Sequence, residues 1–299
     1  MTVKFPMRLP PTGRPHLLLA LALMLPLALA LGACSTTGFD AASTGAPESE
    51  DSLYATSPAN IESLTRVVQQ NPNDPQAYNM RGSVFGKGGR YNEALADFDK
   101  AISIDPNYAQ AYANRGLVYR ETGKLPLALA DYNKALSIDP NYANAYLGRG
   151  MVYRQENKLI AALQDFNKAI AIRPDNAQAY YNRGLLYQSQ NQHNYAIDDF
   201  TTAIGLSTQQ AEPYIARGLS YLAVKNYKAA ASDLDNAVAI EPQNVQAWVS
   251  RGLAYERMGD KEHAAGSYAR ALNIDNSYQP ARDGFQRVGG QYGQSYQTY

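Results

Sequence analysis

Few side chains in this sequence are of the types that carry out chemistry. There are three histidines, His16, His193 and His263, and a single cysteine, Cys34. A metal centre needs several His, Cys or carboxylate ligands brought to one point, and none of these residues has a neighbour at metal-ligand spacing. There is no glycine-rich phosphate loop and no turn of the kind that presents a nucleophilic serine. What remains are charges in register. Arg81, Arg115, Arg149, Arg183 and Arg217 are each followed sixteen residues later by Asp97, Asp131, Asp165, Asp199 and Asp233, and Ser267 breaks the series after Arg251. A pair repeated in every unit suits a structural link between packed helices, whereas a ligand site would use a subset of units. The chain reads as non-enzymatic, with no catalytic residue, metal or cofactor.

One residue has covalent chemistry open to it. Residues 1–33 carry Lys4, Arg8 and Arg14 and no acid, and 17–31 is almost wholly Leu and Ala, broken by Met24 and Pro26. Fifteen residues fall short of the roughly 20 needed to span a bilayer, so the segment reads as an export signal. It ends in Leu31-Gly32-Ala33-Cys34-Ser35. These residues resemble the lipobox of bacterial lipoproteins; a secretory signal with an incidental cysteine is the other reading. The resemblance implies cleavage after Ala33 and a lipid on Cys34. Because Ser35 is not Asp, it also implies an outer-membrane anchor facing the periplasm.

The 27 bases and 27 acids give a formal charge of zero. Loss of the three bases in 1–33 leaves a net −3, without the basic field that non-specific nucleic-acid binding needs. Residues 34–57 are rich in Ser, Thr, Ala and Gly and read as a flexible linker, with a mean reach of about 25–30 Å.

Beyond the linker the sequence repeats. Arg-Gly recurs at 81, 115, 149, 183, 217 and 251, always 34 residues apart. Four residues before each Gly is Tyr78, Tyr112, Tyr146, Tyr180, Tyr214 or Trp248, and three after it is Phe85, Tyr119, Tyr153, Tyr187, Tyr221 or Tyr255. Alanines follow at +12 and +19, with a large residue between them at +16 (Phe98, Tyr132, Phe166, Phe200, Leu234, Tyr268). Spacings of 4 and 3 place each set on one helix face, so each unit is two helices. Gly89, Gly123, Asn157, Asn191 and Gly259 stand where the turn between them needs a left-handed residue; Lys225 departs, with Asn226 behind it.

This pattern resembles the tetratricopeptide repeat (TPR) family. It implies an all-α, right-handed TPR superhelix of six 34-residue helix-turn-helix repeats with helical caps. The repeats occupy 75–278. An N-terminal capping helix is expected over 58–74, with Leu64 and Val67 at core phase, and a C-terminal one over 279–288. The Tyr-rich 289–299 reads as a disordered tail. Gly205 lies inside the second helix of unit four and Thr208 replaces the closing Pro, which predicts a softer joint to unit five.

TPR proteins resembling this one bind proteins or peptides in the concave groove lined by the first helix of each unit. The facing positions are the second, fifth, ninth and twelfth. They supply Asn79, Leu117, Arg120, Leu147, Met151, Arg154, Tyr181, Leu185, Gln188, Ile215, Leu219 and Leu253: an apolar floor with a basic pair in units two and three. The Lys and Asn of the chaperone-binding carboxylate clamp are missing from the fifth and ninth positions. The other reading of the leucines is that they pack between adjacent helices; a further occupant is the Tyr-rich tail, the chain's own or a second copy's in a homo-oligomer. The resemblance extends in plan to envelope adaptors of the new-lipoprotein-I type, with a pilotin-like lipoprotein serving secretin and pilus assembly as the alternative.

Overall fold

The computed structural model describes residues 56–291, Gly293 and Tyr296. The expected signal segment, Ala33, Cys34, the 34–57 linker up to residue 55 and part of the tail lie outside them. Every regular element among the described residues is an α-helix. The first is α1 (Pro58–Gln70). Unit one holds α2 (Pro75–Lys87) and α3 (Tyr91–Ile104), unit two α4 (Ala109–Glu121) and α5 (Leu125–Ile138), and unit three α6 (Ala143–Gln155) and α7 (Leu159–Ile172). Unit four holds α8 (Ala177–Ser189) and α9 (His193–Leu206), unit five α10 (Ala211–Ala223) and α11 (Tyr227–Ile240), and unit six α12 (Val245–Met258) and α13 (Lys261–Ile274); α14 (Gln279–Arg287) follows.

The left-handed residue in each turn is what allows the chain to reverse within a few residues. Gly89, Gly123 and Gly259 take it with φ of 71°, 72° and 85°, and Asn157 and Asn191 with 57° and 58°. Lys225 fills the same slot itself, at φ 63°. Asn226 does not take it over; its side chain caps α11 by accepting from the Ala229 amide.

Each unit's two helices close on a small-residue seam. The Gly of each Arg-Gly faces the large residue at +16: a Cβ on Gly184 would meet the Phe200 ring at 2.6 Å, and one on Gly252 the Tyr268 ring at 2.8 Å. Phe98, Tyr132, Phe166, Phe200, Leu234 and Tyr268 are consequently all but fully buried, between alanines of the same helix at 0–1 % exposure.

The arginines tie the stack together. Arg149 donates from Nε and Nη2 to both oxygens of Asp165, each at 2.8 Å, and from Nη1 to Asn133 Oδ1 of the preceding unit at 2.6 Å. The same fork joins Arg81, Arg115, Arg183 and Arg217 to the aspartate at +16, with a third contact at −16 to Thr65, Asp99, Asn167 or Thr201. Each of the six guanidiniums also lies 4.8–6.0 Å from the rings at −3 and +4. Unit six keeps the geometry but exchanges the partners: Arg251 donates to Asp235 of unit five at 2.6 Å and to Ser267 Oγ at 2.7 Å. Ser267 therefore does not end the series; the carboxylate moves across the joint.

α1 takes the place of a second helix, the only helix before unit one among the described residues. Thr65 sits sixteen residues before Arg81 and accepts from its Nη1. Val68 is the buried residue of α1, and Ile61 packs against the unit-one core. Leu64 is only half-buried and Val67 is exposed, contrary to their expected core phase. Those positions face a helix's own first-helix partner, and among the described residues α1 has none.

The joint between units four and five differs from the rest. At the other joints a backbone bond closes the loop, from the amide of Asp74, Tyr108, Tyr142, Asn176, Asn244 or Tyr278 to a carbonyl three residues earlier. Between Ser207 and Gln210 there is no such bond, and Gln210 does not cap α10. Gly205 is exposed, and no atom lies within 4 Å of where a Cβ on it would stand. Gly205→Ala is expected to raise stability by about 0.5–1 kcal/mol through helix propensity alone. Amides 203–210 should exchange faster than those of the other joints by native-state hydrogen exchange; equal rates would contradict the softer joint.

Candidate functional site

The first helices of successive units touch one another: α2 meets α4, α4 meets α6, and so on to α12 and α14. They form the inner wall, and the predicted groove residues lie along it, but not all remain open to a ligand. Leu117 is the most exposed, at 43 %. Leu147, Met151, Tyr181, Leu185, Ile215, Leu219 and Leu253 are partly buried. Leu147 and Met151 rest on the Phe166 cluster, Tyr181 and Leu185 on the Phe200 cluster, and Ile215 on the C-terminal core. Leu147, Met151, Tyr181, Leu185 and Ile215 thus pack on the cores while remaining partly exposed, as the packing reading of the ladder expects.

Three polar members are engaged in packing. Asn79 is 2 % exposed; it donates to the Tyr108 hydroxyl and accepts from Asn114, which also donates to Ser83. Asn79 is thus part of a link between units one and two and presents little surface to a ligand. Gln188 donates to the Ala216 carbonyl and to Ser220 Oγ, both at 2.9 Å, bridging units four and five. Arg120 is 6 % exposed, bonded to Glu121 and resting on the Met151 sulfur. The expected basic pair is therefore unequal. Arg120 is buried and neutralised by Glu121, an acid that periodicity does not single out although it is the very next residue.

Arg154 is the one left over. It has no ion pair or hydrogen bond among the described residues, and its Nε is shielded from solvent. Desolvation lowers its pKa from the ordinary guanidinium value, and the like charge of Arg120 adds to this, while Tyr181 acts the other way. Burial, with a contribution from Glu212, pushes the Tyr181 hydroxyl up to about 12, so it remains a neutral donor. The Tyr181 ring lies 5.9 Å from that of Phe200.

The two histidines among the described residues do not converge. His263 is held by Asp260, with Nδ1 at 2.8 Å from Oδ2, at the start of α13, and His193 begins α9. Among the described residues no group of three or more potential ligands could hold a metal ion, and no helix is long and apolar enough to cross a membrane. A cavity of about 650 Å³ lies at the C-terminal end, between α13, α14 and the tail. There Tyr296 meets Phe285 edge-on at 5.7 Å and its hydroxyl accepts from the Gln291 amide at 2.5 Å. That tyrosine of the tail lies on the end cap and not in the groove.

A further pattern, not singled out from the repeat spacing, sets how closely the units approach. Tyr132 and Tyr268 are the two tyrosines at +16, and each faces a glycine on the next unit's first helix, Gly148 or Gly284. Phe200 faces Ala216 instead. The longer ring is matched by the smaller neighbour, a signal readable as a pair of positions sixteen apart.

Comparison with known proteins agrees with this architecture. TPR repeat models match residues 82–123, 116–153 and 150–191, and tetratricopeptide repeat models match 177–207 and 215–280. No curated protein matches. Among solved structures, the APC/C hetero-tetramer Cut9-Hcn1 is similar with TM-score 0.66 and 18 % identity, over 76 % of this chain and 45 % of that one. YrrB, a TPR protein with an unusual peptide-binding site, gives TM-score 0.55 and 25 % identity over 63 % of this chain and 97 % of its own. PilF of Pseudomonas aeruginosa gives TM-score 0.65 and 20 % identity over 71 % and 96 %, a likeness of fold. TPR folds are typically scaffolds that mediate protein–protein interactions. With the repeat models together covering more than half of its length, and fourteen helices among the described residues in the arrangement they specify, this chain belongs to the tetratricopeptide repeat family.

Proposed function

We propose that this chain is a non-enzymatic adaptor of the bacterial envelope, anchored through a lipid on Cys34 to the periplasmic face of the outer membrane and holding a partner polypeptide in the groove of its first helices. The observation that carries the binding role is the half-open apolar strip of Leu117, Met151, Leu185, Leu219 and Leu253, which packing leaves uncovered on one side. An apolar strip on a row of helices suits an extended segment or an amphipathic helix. The peptide-binding site of YrrB is consistent with this use of the fold. The anchor rests on Leu31-Gly32-Ala33-Cys34 following a cationic and then apolar segment. Acyl chains hold a protein stably when more than one is attached.

The groove is tested by a photo-crosslinking residue at Tyr181 in living cells. A discrete adduct is expected, and Leu117→Asp, an exposed position, is expected to abolish it without shifting the thermal melt. An adduct that survives Leu117→Asp would move the binding surface elsewhere. The adduct's identity separates an adaptor, whose loss changes cell-wall turnover, from a pilotin, whose loss disperses a secretin multimer. The anchor is tested separately by labelling with a fatty acid: the parent chain should incorporate label and Cys34→Ala should not.

A further inference from the structure

The clearest physical anomaly in the molecule is Arg154. The six arginines of the Arg-Gly series each have at least two hydrogen-bond partners. Arg120, at the same repeat position as Arg154 one unit earlier, has Glu121. Arg154 has neither among the described residues; its Nε, like that of Arg120, is sealed from water without a partner. The acid nearest along the chain, Glu156, lies 2.8 Å from Lys158 Nζ and forms no ion pair with Arg154. The charge acting on Arg154 from the neighbouring unit is the guanidinium of Arg120, of like sign. A partly desolvated cation with no counter-ion among the described residues is costly for a fold to keep, and a partner supplied from outside would account for its unsatisfied buried nitrogen.

We propose that Arg154 anchors a carboxylate of the peptide that occupies the groove. This rests on the groove reading above and names the chemistry of the ligand. The guanidinium fork pairs with a carboxylate through two parallel N–H···O bonds. Desolvation by the surrounding helices makes such a pair stronger than on an open surface. Arg120, already neutralised by Glu121, stands behind it, and Tyr181 offers an uncharged hydroxyl. Leu147 and Met151 on α6 and Leu185 on α8 are apolar and partly open, so a carboxylate that reaches Arg154 is expected among apolar residues of the peptide. The carboxylate is an Asp or Glu side chain or a chain terminus. The arrangement differs from the carboxylate clamp, since its cation stands at the twelfth position of unit three and leucine or methionine occupies the ninth position from unit two onward.

The test is selection from random hexapeptides, presented with free or amidated C-termini, on the full chain and on its Arg154→Gln and Leu117→Asp variants. The parent is expected to retain peptides enriched several-fold in carboxylates between apolar residues. Loss of that enrichment in the amidated library assigns it to the terminus, and its persistence assigns it to side chains. Arg154→Gln should keep retaining apolar peptides but lose the acidic enrichment, and should melt no lower than the parent, since it removes an uncompensated charge. A retained pool without acidic enrichment, or enrichment unchanged in Arg154→Gln, overturns the assignment while leaving the groove intact. A lowered melting temperature for Arg154→Gln overturns it by making Arg154 a structural residue. No retention by the parent, or retention unaffected by Leu117→Asp, overturns the groove itself.

Discussion

Asp165→Ala should lower the unfolding free energy by about 3 kcal/mol, the lower end of what removing one partner of a buried ion pair costs. Asp165 has a side chain only 7 % exposed and accepts both of its hydrogen bonds from Arg149, whose own side chain is 20 % exposed. The substitution strands a guanidinium held between the Tyr146 and Tyr153 rings and tied to Asn133. Arg149 then either loses its solvation or pulls out of the aromatic pair, and both routes loosen units two and three together. Glu62→Ala is the internal contrast. It removes the exposed pair with Arg66, whose side chains are 63 % and 71 % exposed, and should change stability by less than about 0.5 kcal/mol. Urea denaturation of the two variants decides between them. Equal effects would mean that the Arg–Asp ladder is a surface decoration. In a repeat array the loss propagates through nearest-neighbour interfaces, so the Asp165→Ala transition should also broaden.

Gly148→Ala should cost about 1–2 kcal/mol net, and Tyr132→Phe in the same chain should recover part of it, because the ring without its hydroxyl is freer to shift. A Cβ at 148 would stand 2.4 Å from Tyr132 Cζ and 2.6 Å from its hydroxyl oxygen. Tyr132 is 2 % exposed and cannot swing into solvent. Overpacking of this kind typically costs about 1–3 kcal/mol, and here it outweighs the roughly 1 kcal/mol that Ala gains over Gly in a helix. Phe200, packed against Ala216, shows that a ring without the hydroxyl tolerates a methyl group at the corresponding place. A double-mutant cycle by chemical denaturation measures the coupling. If Tyr132→Phe restores nothing, the ring carbons and not the hydroxyl set the clash. Gly205→Ala carries the opposite sign on the same chemical change, because nothing lies where its methyl would go.

The 34-residue period, the helix pair in each unit, the left-handed turn residues and the Arg–Asp link between packed helices follow from spacing. Steric and hydrogen-bonding rules act over a few residues, and the repeat states them six times. Gly205 and Thr208 likewise mark the irregular joint. At the ends the same reasoning failed: Val67 and Leu64 have the right phase, but phase does not say whether a neighbouring helix exists to cover them.

The groove residues divide along the same line. Their positions on the inner helices were fixed by periodicity. Which of them remain open was not, because that depends on where side chains from adjacent units end. Asn79 and Gln188 look like ligand-facing amides in sequence and are spent on links between units. Arg120 and Arg154 are identical by position and type, yet one is neutralised by Glu121 and the other has no partner among the described residues. The sequence by itself determined the fold and the repeat positions that line the first helices. Only the tertiary structure decided which charge at those positions is free, since pairing and burial are properties of three-dimensional neighbours and the repeat makes all units look alike until those neighbours are in place.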